Sequence, residues 1–236
     1  DGVVKVKSME GILGFENRVM VYHKLIIILG ALIIKLLGWS IYYLKFIIFF
    51  FYGLFFYYLY RFVNKFKDKY TKHHLILSCL FLFVSPIMLV FGFTFRPEIM
   101  AMFFGFISYY TLELYLQSPK NKWLALSGIF AGLAFLSHLN AMIFVVAGFI
   151  LLLFYKKYKA LFIFSIFACL TSLIYTYDFW QGNNLQLFVF QTNNWPTLHL
   201  GKNYFDNNLI NQLTRKLMIV LNEPQRFFWS DKVIVF

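Results

Sequence analysis

Apolar residues in this chain come in long runs, and polar residues are confined to the short segments between them. Residues 41–60, 75–93, 99–116, 123–136, 141–155 and 160–177 are almost continuously hydrophobic. A helix needs about 20 apolar residues to cross the hydrocarbon of a bilayer, and several of the runs approach that length. The pattern predicts an all-α fold: a polytopic transmembrane helical bundle with an outer loop region. Residues 25–37 are too few for a span and are interrupted by Lys35, which predicts an interfacial or re-entrant helix ahead of the first crossing. Lys35 and Lys45 can snorkel from such a position to the surface. Beyond residue 177 the composition shifts to Asn, Gln and Trp, as in Asn183, Asn184, Asn193, Asn194 and Trp195. That stretch reads as an outer loop carrying a short amphipathic helix over 209–221, ended by Pro224.

The loops assign the sides. Residues 61–74 carry Arg61, Lys65, Lys67, Lys69 and Lys72, and loops enriched in Lys and Arg face the cytoplasm. The following connections alternate: 94–98 holds only Arg96, 117–122 holds Lys120 and Lys122, 138–140 holds none, and 155–159 holds Lys156, Lys157 and Lys159. Residues 1–24, the Arg96 to Glu98 turn, the His138 to Asn140 turn and the stretch from Asp178 onward are therefore expected on one outer side. The organisation expected is an outer segment over 1–24, a transmembrane region with its interfacial helix over 25–177, and an outer loop over 178–236 that ends at the start of a further span. A polar start at Asp1 reads as the sequence that follows a first span lying upstream.

Composition narrows the function classes. The chain is 61% hydrophobic and only 14% charged, with a mean hydropathy of +0.68. A soluble domain carries about 25% charged residues. The net charge of +12 sits in loops and flanks rather than on one exposed face, so a nucleic-acid partner is not expected. Cys79 and Cys169 lie inside apolar runs and suggest neither a disulfide framework nor a metal site. No HExxH, Walker or GxGxxG pattern occurs, so no metal or nucleotide cofactor is predicted.

Acidic residues are scarce, which gives weight to those expected on the outer side: Asp1, Glu10, Glu16, Glu98, Asp178, Asp206, Glu223 and Asp231. Glu98 follows Arg96 and Pro97 at the start of a predicted span. A carboxylate there is favoured by the helix dipole alone; the functional alternative is a base at the membrane boundary, with Arg96 holding an anion. His138 and Asn140 break an apolar stretch, as an ordinary turn or as hydrogen-bond donors to a substrate. His23 and Lys24 can supply a cation where an outer segment meets the membrane, or simply anchor it.

These motifs, taken in order, resemble the GT-C class of membrane glycosyltransferases, in particular the branch of protein O-mannosyltransferases and lipid A aminoarabinose transferases. They are an outer acidic segment beginning at Asp1; Tyr22-His23-Lys24 leading into an interfacial helix; Arg96-Pro97-Glu98 opening a span; and Trp123 to Gly128 followed by Gly132-Leu133-Ala134. The family often has Asp-Glu in the first outer loop and Lys-Pro at the interfacial helix, where this chain has Asp1-Gly2 and Lys24-Leu25. The resemblance implies transfer of a sugar from a polyprenyl-phosphate donor to an acceptor lipid, glycan or protein on the outer face. It implies Asp1 or Glu98 as catalytic base, and Lys24, Arg96, His138 and Asn140 as binding residues for the donor phosphate or substrate. The lipid bilayer and the lipid-linked sugar are the expected partners. A composition rich in Phe, Ile, Lys and Asn fits an AT-rich bacterial genome, hence a bacterial cytoplasmic membrane with the active face outward. Two other classes compete: a transporter, against which the scarcity of charge within the spans and the lack of an evident inverted repeat count, and a non-catalytic membrane scaffold.

Overall fold

The computed structural model describes residues 23–68, 71–84, 92, 94–177, 179–180 and 182–191. In the compact unit spanning Tyr22–Gly182 the described residues form helices joined by short turns, with no strand among them. Its helices are α1 (Lys24–Leu37), α2 (Ile41–Lys65), α3 (Lys72–Val84), α4 (Glu98–Gln117), α5 (Asn121–Ser137), α6 (Met142–Phe154) and α7 (Tyr158–Ser172). One-turn 3₁₀ segments precede α6 at Leu139–Ala141 and extend α7 at Leu173–Thr176. The other unit, Asp1–Val21 with Asn183–Phe236, contributes a described helical segment over 184–191. Asp1, the other acids expected outside apart from Glu98, and the helix expected over 209–221 lie outside the described residues.

Among the described residues, three helical stretches are long and apolar enough to cross a membrane: Ile41–Lys65, Glu98–Gln117 and Tyr158–Thr176. A further apolar helix, Leu139–Phe154, is shorter. Helices dominate because hydrocarbon offers no partner to a backbone N–H or C=O, so each segment must satisfy its own. Residues 25–37 do form a helix, and its 14 residues fall short of a span. Its N-terminal half packs through Lys24, Ile26 and Gly30, whereas Leu32, Leu36 and Leu37 are exposed.

The aromatic stretch of α2 divides between two surroundings. Ile48, Tyr52, Phe55, Leu59 and Phe62 recur at helical spacing and are buried, while Phe49, Phe50, Tyr57 and Tyr60 are exposed on the opposite side. The buried stripe meets α4 through ring contacts such as Phe55 with Phe106 at 5.2 Å and Phe62 with Tyr110 at 5.6 Å.

Helix α5 is the hub, packed against α4, α6, α7 and α1. Its buried residues include Ser127, Gly128, Ala131, Gly132 and Ala134, which are small enough for neighbouring backbones to approach. Gly128 and Gly132 form a Gly-x-x-x-Gly pair directed at α7: an added Cβ would lie 2.5 Å from the Phe164 carbonyl oxygen at the first and 2.5 Å from Thr171 Cβ at the second. Lipid is as apolar as the helices, so contacts of this kind, rather than expulsion of water, hold spans together. On the α4 side, Ser108 Oγ donates to the Ser127 carbonyl at 2.9 Å and Ser127 Oγ donates to the Ser108 carbonyl at 2.8 Å.

Three-residue links at 118–120 and 155–157, and the 3₁₀ turn between α5 and α6, make α4 through α7 successively antiparallel. The start of α4, the end of α5, the start of α6 and the end of α7 therefore share one end of the bundle. The candidate residues gather there.

Candidate functional site

Four segments supply this end: His23-Lys24 opening α1, Arg96-Pro97-Glu98 opening α4, His138 closing α5, and Tyr175 with Phe179 following α7. Pro97 takes the N-cap position of α4 and Glu98 is its first residue. The turn before it is tightened by the Arg96 N–H donating to the Thr94 carbonyl at 2.9 Å. Arg96 then reaches over Pro97, and its Nη2 lies 2.7 Å from Glu98 Oε1. Arg96 is half exposed, with 52% of its side-chain surface accessible against 24% for Glu98. Glu98 Oε2 is buried and has no hydrogen-bond partner among the described residues. The two oxygens of Glu98 thus differ, one held by an arginine and the other buried without a partner among the described residues.

His138 ends α5 and caps the 3₁₀ turn, its Nδ1 accepting the Asn140 N–H at 3.1 Å. That bond leaves the proton of the neutral ring on Nε2. The His23 ring stacks on it at 4.3 Å between centroids, with 25° between planes. Burial is the main cause that holds His23 down at a pKa of about 4, with His138 and Arg96 adding repulsion. His138 is also lowered, first by burial and further by Arg96, with Glu98 pulling the other way. Both imidazoles are neutral at pH 7, so the cluster presents one ion pair and two uncharged rings.

Lys24 is buried, and its ammonium donates to the Tyr175 carbonyl. Its Nζ lies 4.6 Å from the centre of the Tyr175 ring and 4.9 Å from that of Phe179. A cation at the first position of α1 opposes that helix's own dipole; the carbonyl end of the α7 extension, where negative partial charge collects, supplies the compensation.

The structure thus brings Arg96, Glu98 and His138 together and seats Lys24 beside the same cluster through its neighbour His23. Asn140 contributes its backbone N–H, while its residue is exposed. Asp1 lies outside the described residues. Tyr175, Phe179 and the ring pairing of His23 have no signal in the sequence. Aromatic residues are so frequent here, 22% of the chain, that no pattern distinguishes these two. Glu113, inside α4 and likewise without a sequence signal, accepts the Tyr109 hydroxyl at 3.0 Å within its own helix. Among the described residues no group of three or more His, Cys, Asp and Glu side chains is arranged to hold a metal ion.

Helices long and apolar enough to cross a membrane, with a polar cluster where their ends meet, define an integral membrane protein. Residues 21–180 match the family described as dolichyl-phosphate-mannose-protein mannosyltransferase, and the chain belongs to that family. It is accordingly a membrane glycosyltransferase that acts with a polyprenyl-phosphate sugar donor. The matched region contains Tyr22-His23-Lys24, Arg96-Pro97-Glu98 and Gly132-Leu133-Ala134, three of the motifs on which the resemblance rests. No curated protein and no solved structure matches the chain.

Proposed function

We propose that the chain transfers the sugar of its polyprenyl-phosphate donor to an acceptor hydroxyl at the outer membrane face, with Glu98 as the base. The observation that carries this is the pairing of states on one carboxylate: Oε1 held by Arg96 and Oε2 buried and unmatched. As the acceptor oxygen bonds to the anomeric carbon, its proton passes to Glu98 Oε2. The bond from that carbon to the phosphate oxygen breaks, and the phosphate leaves with the electron pair.

Charge develops on the phosphate as it leaves. Arg96, Lys24 and the Nε2–H of His138 are the groups that stabilise it, cationic and hydrogen-bonding side chains fixed before the reaction begins. The isoprenoid tail runs down among the apolar helices. Asn140 fixes the tautomer of His138 rather than touching substrate. Asp1 is the other carboxylate that can serve as base, as the family resemblance implies. The outward direction follows from the lysine-rich connections at the opposite end of the helices.

Glu98→Gln keeps the size and the first position of α4 but cannot take a proton. Turnover measured in membranes with polyprenyl-phosphate mannose should fall about 100-fold or more, the usual worth of a general base. Protein level and thermal unfolding should stay near those of the parent, because the amide keeps an oxygen for the half-exposed Arg96 and removes a charge from a largely buried position. Asp1→Asn measured alongside separates the two carboxylates. Full turnover in Glu98→Gln with loss in Asp1→Asn moves the base to Asp1.

A further inference from the structure

Two buried polar atoms at this end of the bundle lack a hydrogen-bond partner among the described residues, Glu98 Oε2 and His23 Nδ1. Buried polar atoms in native proteins are nearly always matched, and an unmatched one asks for an explanation. The transfer chemistry uses the first and leaves the second unexplained.

The surroundings of His23 restrict what can match it. Its ring is fixed in plane by the stack on His138, so Nδ1 has a set direction rather than a sweep. Lys24 follows it in the chain, and Arg96 is close enough to repel its proton. If the donor phosphate lies against Lys24 and Arg96, the two groups bonded to it, the sugar and the isoprenoid, are the ones that come next to His23. Of the two, only the sugar carries hydroxyls.

We propose that His23 is a donor-sugar recognition residue, its Nδ1 hydrogen-bonded to a hydroxyl of the sugar. The proposal rests on the reading above that the donor phosphate lies against Lys24 and Arg96. A hydroxyl is both donor and acceptor, so it satisfies Nδ1 in either tautomer of a neutral ring. A phosphate oxygen offers lone pairs only and satisfies just one tautomer. The isoprenoid tail offers nothing to a nitrogen. Sites built to bind a hydroxyl also discriminate strongly against an analogue without it, because the buried partner is then left unmatched.

The competing role for His23 is mechanical, a flat surface that keeps the His138 ring in place. His23→Phe and His23→Asn separate the two. Phe keeps a flat ring for the stack but has no nitrogen, whereas Asn places an amide near the position of Nδ1 but cannot stack. Each variant, in full-length protein in membranes, is assayed with polyprenyl-phosphate mannose and with its monodeoxy derivatives, kcat and KM being measured separately.

The expected result is a donor KM raised about tenfold to a hundredfold in His23→Phe, with most of it regained in His23→Asn. One monodeoxy donor should suffer the same loss with the parent protein, and His23→Phe should add nothing further to it. Parent-like KM in His23→Phe overturns the proposal. So does an identical loss on every deoxy donor, which is the mark of a ring that only supports His138. The deoxy series on the parent protein needs no variant to fold: if all its members bind as mannose does, no hydroxyl is being read and the proposal falls. Glu98→Gln tests the base independently, since full turnover in that variant removes the proposed base and leaves the deoxy dependence of His23 standing.

Discussion

Replacing Gly128 by Ala adds one methyl group where two helix backbones nearly touch. The new Cβ would stand 2.5 Å from the Phe164 carbonyl oxygen, 3.0 Å from the Ala168 nitrogen and 3.0 Å from Phe167 Cβ. Ordinary contact begins at 3.4 Å, so the carbonyl is too close by almost an ångström. Phe164 lies in the middle of α7, where its carbonyl is tied into the helix and cannot swing aside. The helices must separate instead, and a gap of about 0.5–1 Å forfeits a quarter to a half of each dispersion contact across it. Overpacking of this kind costs about 1–3 kcal/mol, and in a bilayer no hydrophobic gain on reassociation offsets it. Gly53→Ala is the control, because nothing lies within 4 Å of an added Cβ there. Removing a glycine from that open helix position should be neutral or stabilise by up to about 1 kcal/mol. Thermal unfolding of the two variants in one detergent compares them directly, at about 2–4 °C per kcal/mol for a chain of this size. Gly128→Ala as stable as Gly53→Ala would refute the claim that α5 and α7 are in backbone contact.

Three further outcomes are expected. His23 titrates near 4 in the folded protein against 6.5 when unfolded, so the unfolded chain takes up the proton first as pH falls. Stability present above pH 6.5 should decline toward pH 4 by up to about 2–3 kcal/mol, and His23→Phe should flatten that slope; an unchanged slope in the variant points to another group. Ser108→Ala and Ser127→Ala should each destabilise by about 0.5–1.7 kcal/mol, because each removes its own hydroxyl bond to the other residue's backbone carbonyl and leaves the reciprocal bond in place; parent-like stability of both variants in denaturant unfolding contradicts the geometry. Lys24→Met, matched in length but uncharged, should raise the donor KM about tenfold or more and weaken its dependence on salt, as expected for a lost charge-assisted bond to phosphate; unaltered donor kinetics remove Lys24 from the donor site.

The membrane fold was legible because hydropathy over about 20 residues is a one-dimensional property. A lysine-rich loop is equally local, which is why it carries an expectation about sides. Glu98 also announced itself: an acid after Arg-Pro at the edge of an apolar run stands out in a chain with only 10 acidic residues. The close approach of α5 and α7 is written as Gly128-x-x-x-Gly132, but that spacing acquires meaning only when Phe164 and Thr171 face it.

The residues themselves determined that this chain lies in a membrane and runs as helices. Which helix ends meet was decided by packing. Residue 23 and residue 138 stack because α1 folds back onto α5, a contact across more than a hundred positions that no local pattern encodes. The same packing turned Lys24 onto the Tyr175 carbonyl, set the Asn140 N–H against His138 Nδ1, and buried His23 enough to keep it uncharged. Hydropathy reports how each segment partitions between water and lipid. Hydrogen-bond direction and proton affinity depend on what the other segments place alongside, and that is a property of the assembled bundle alone.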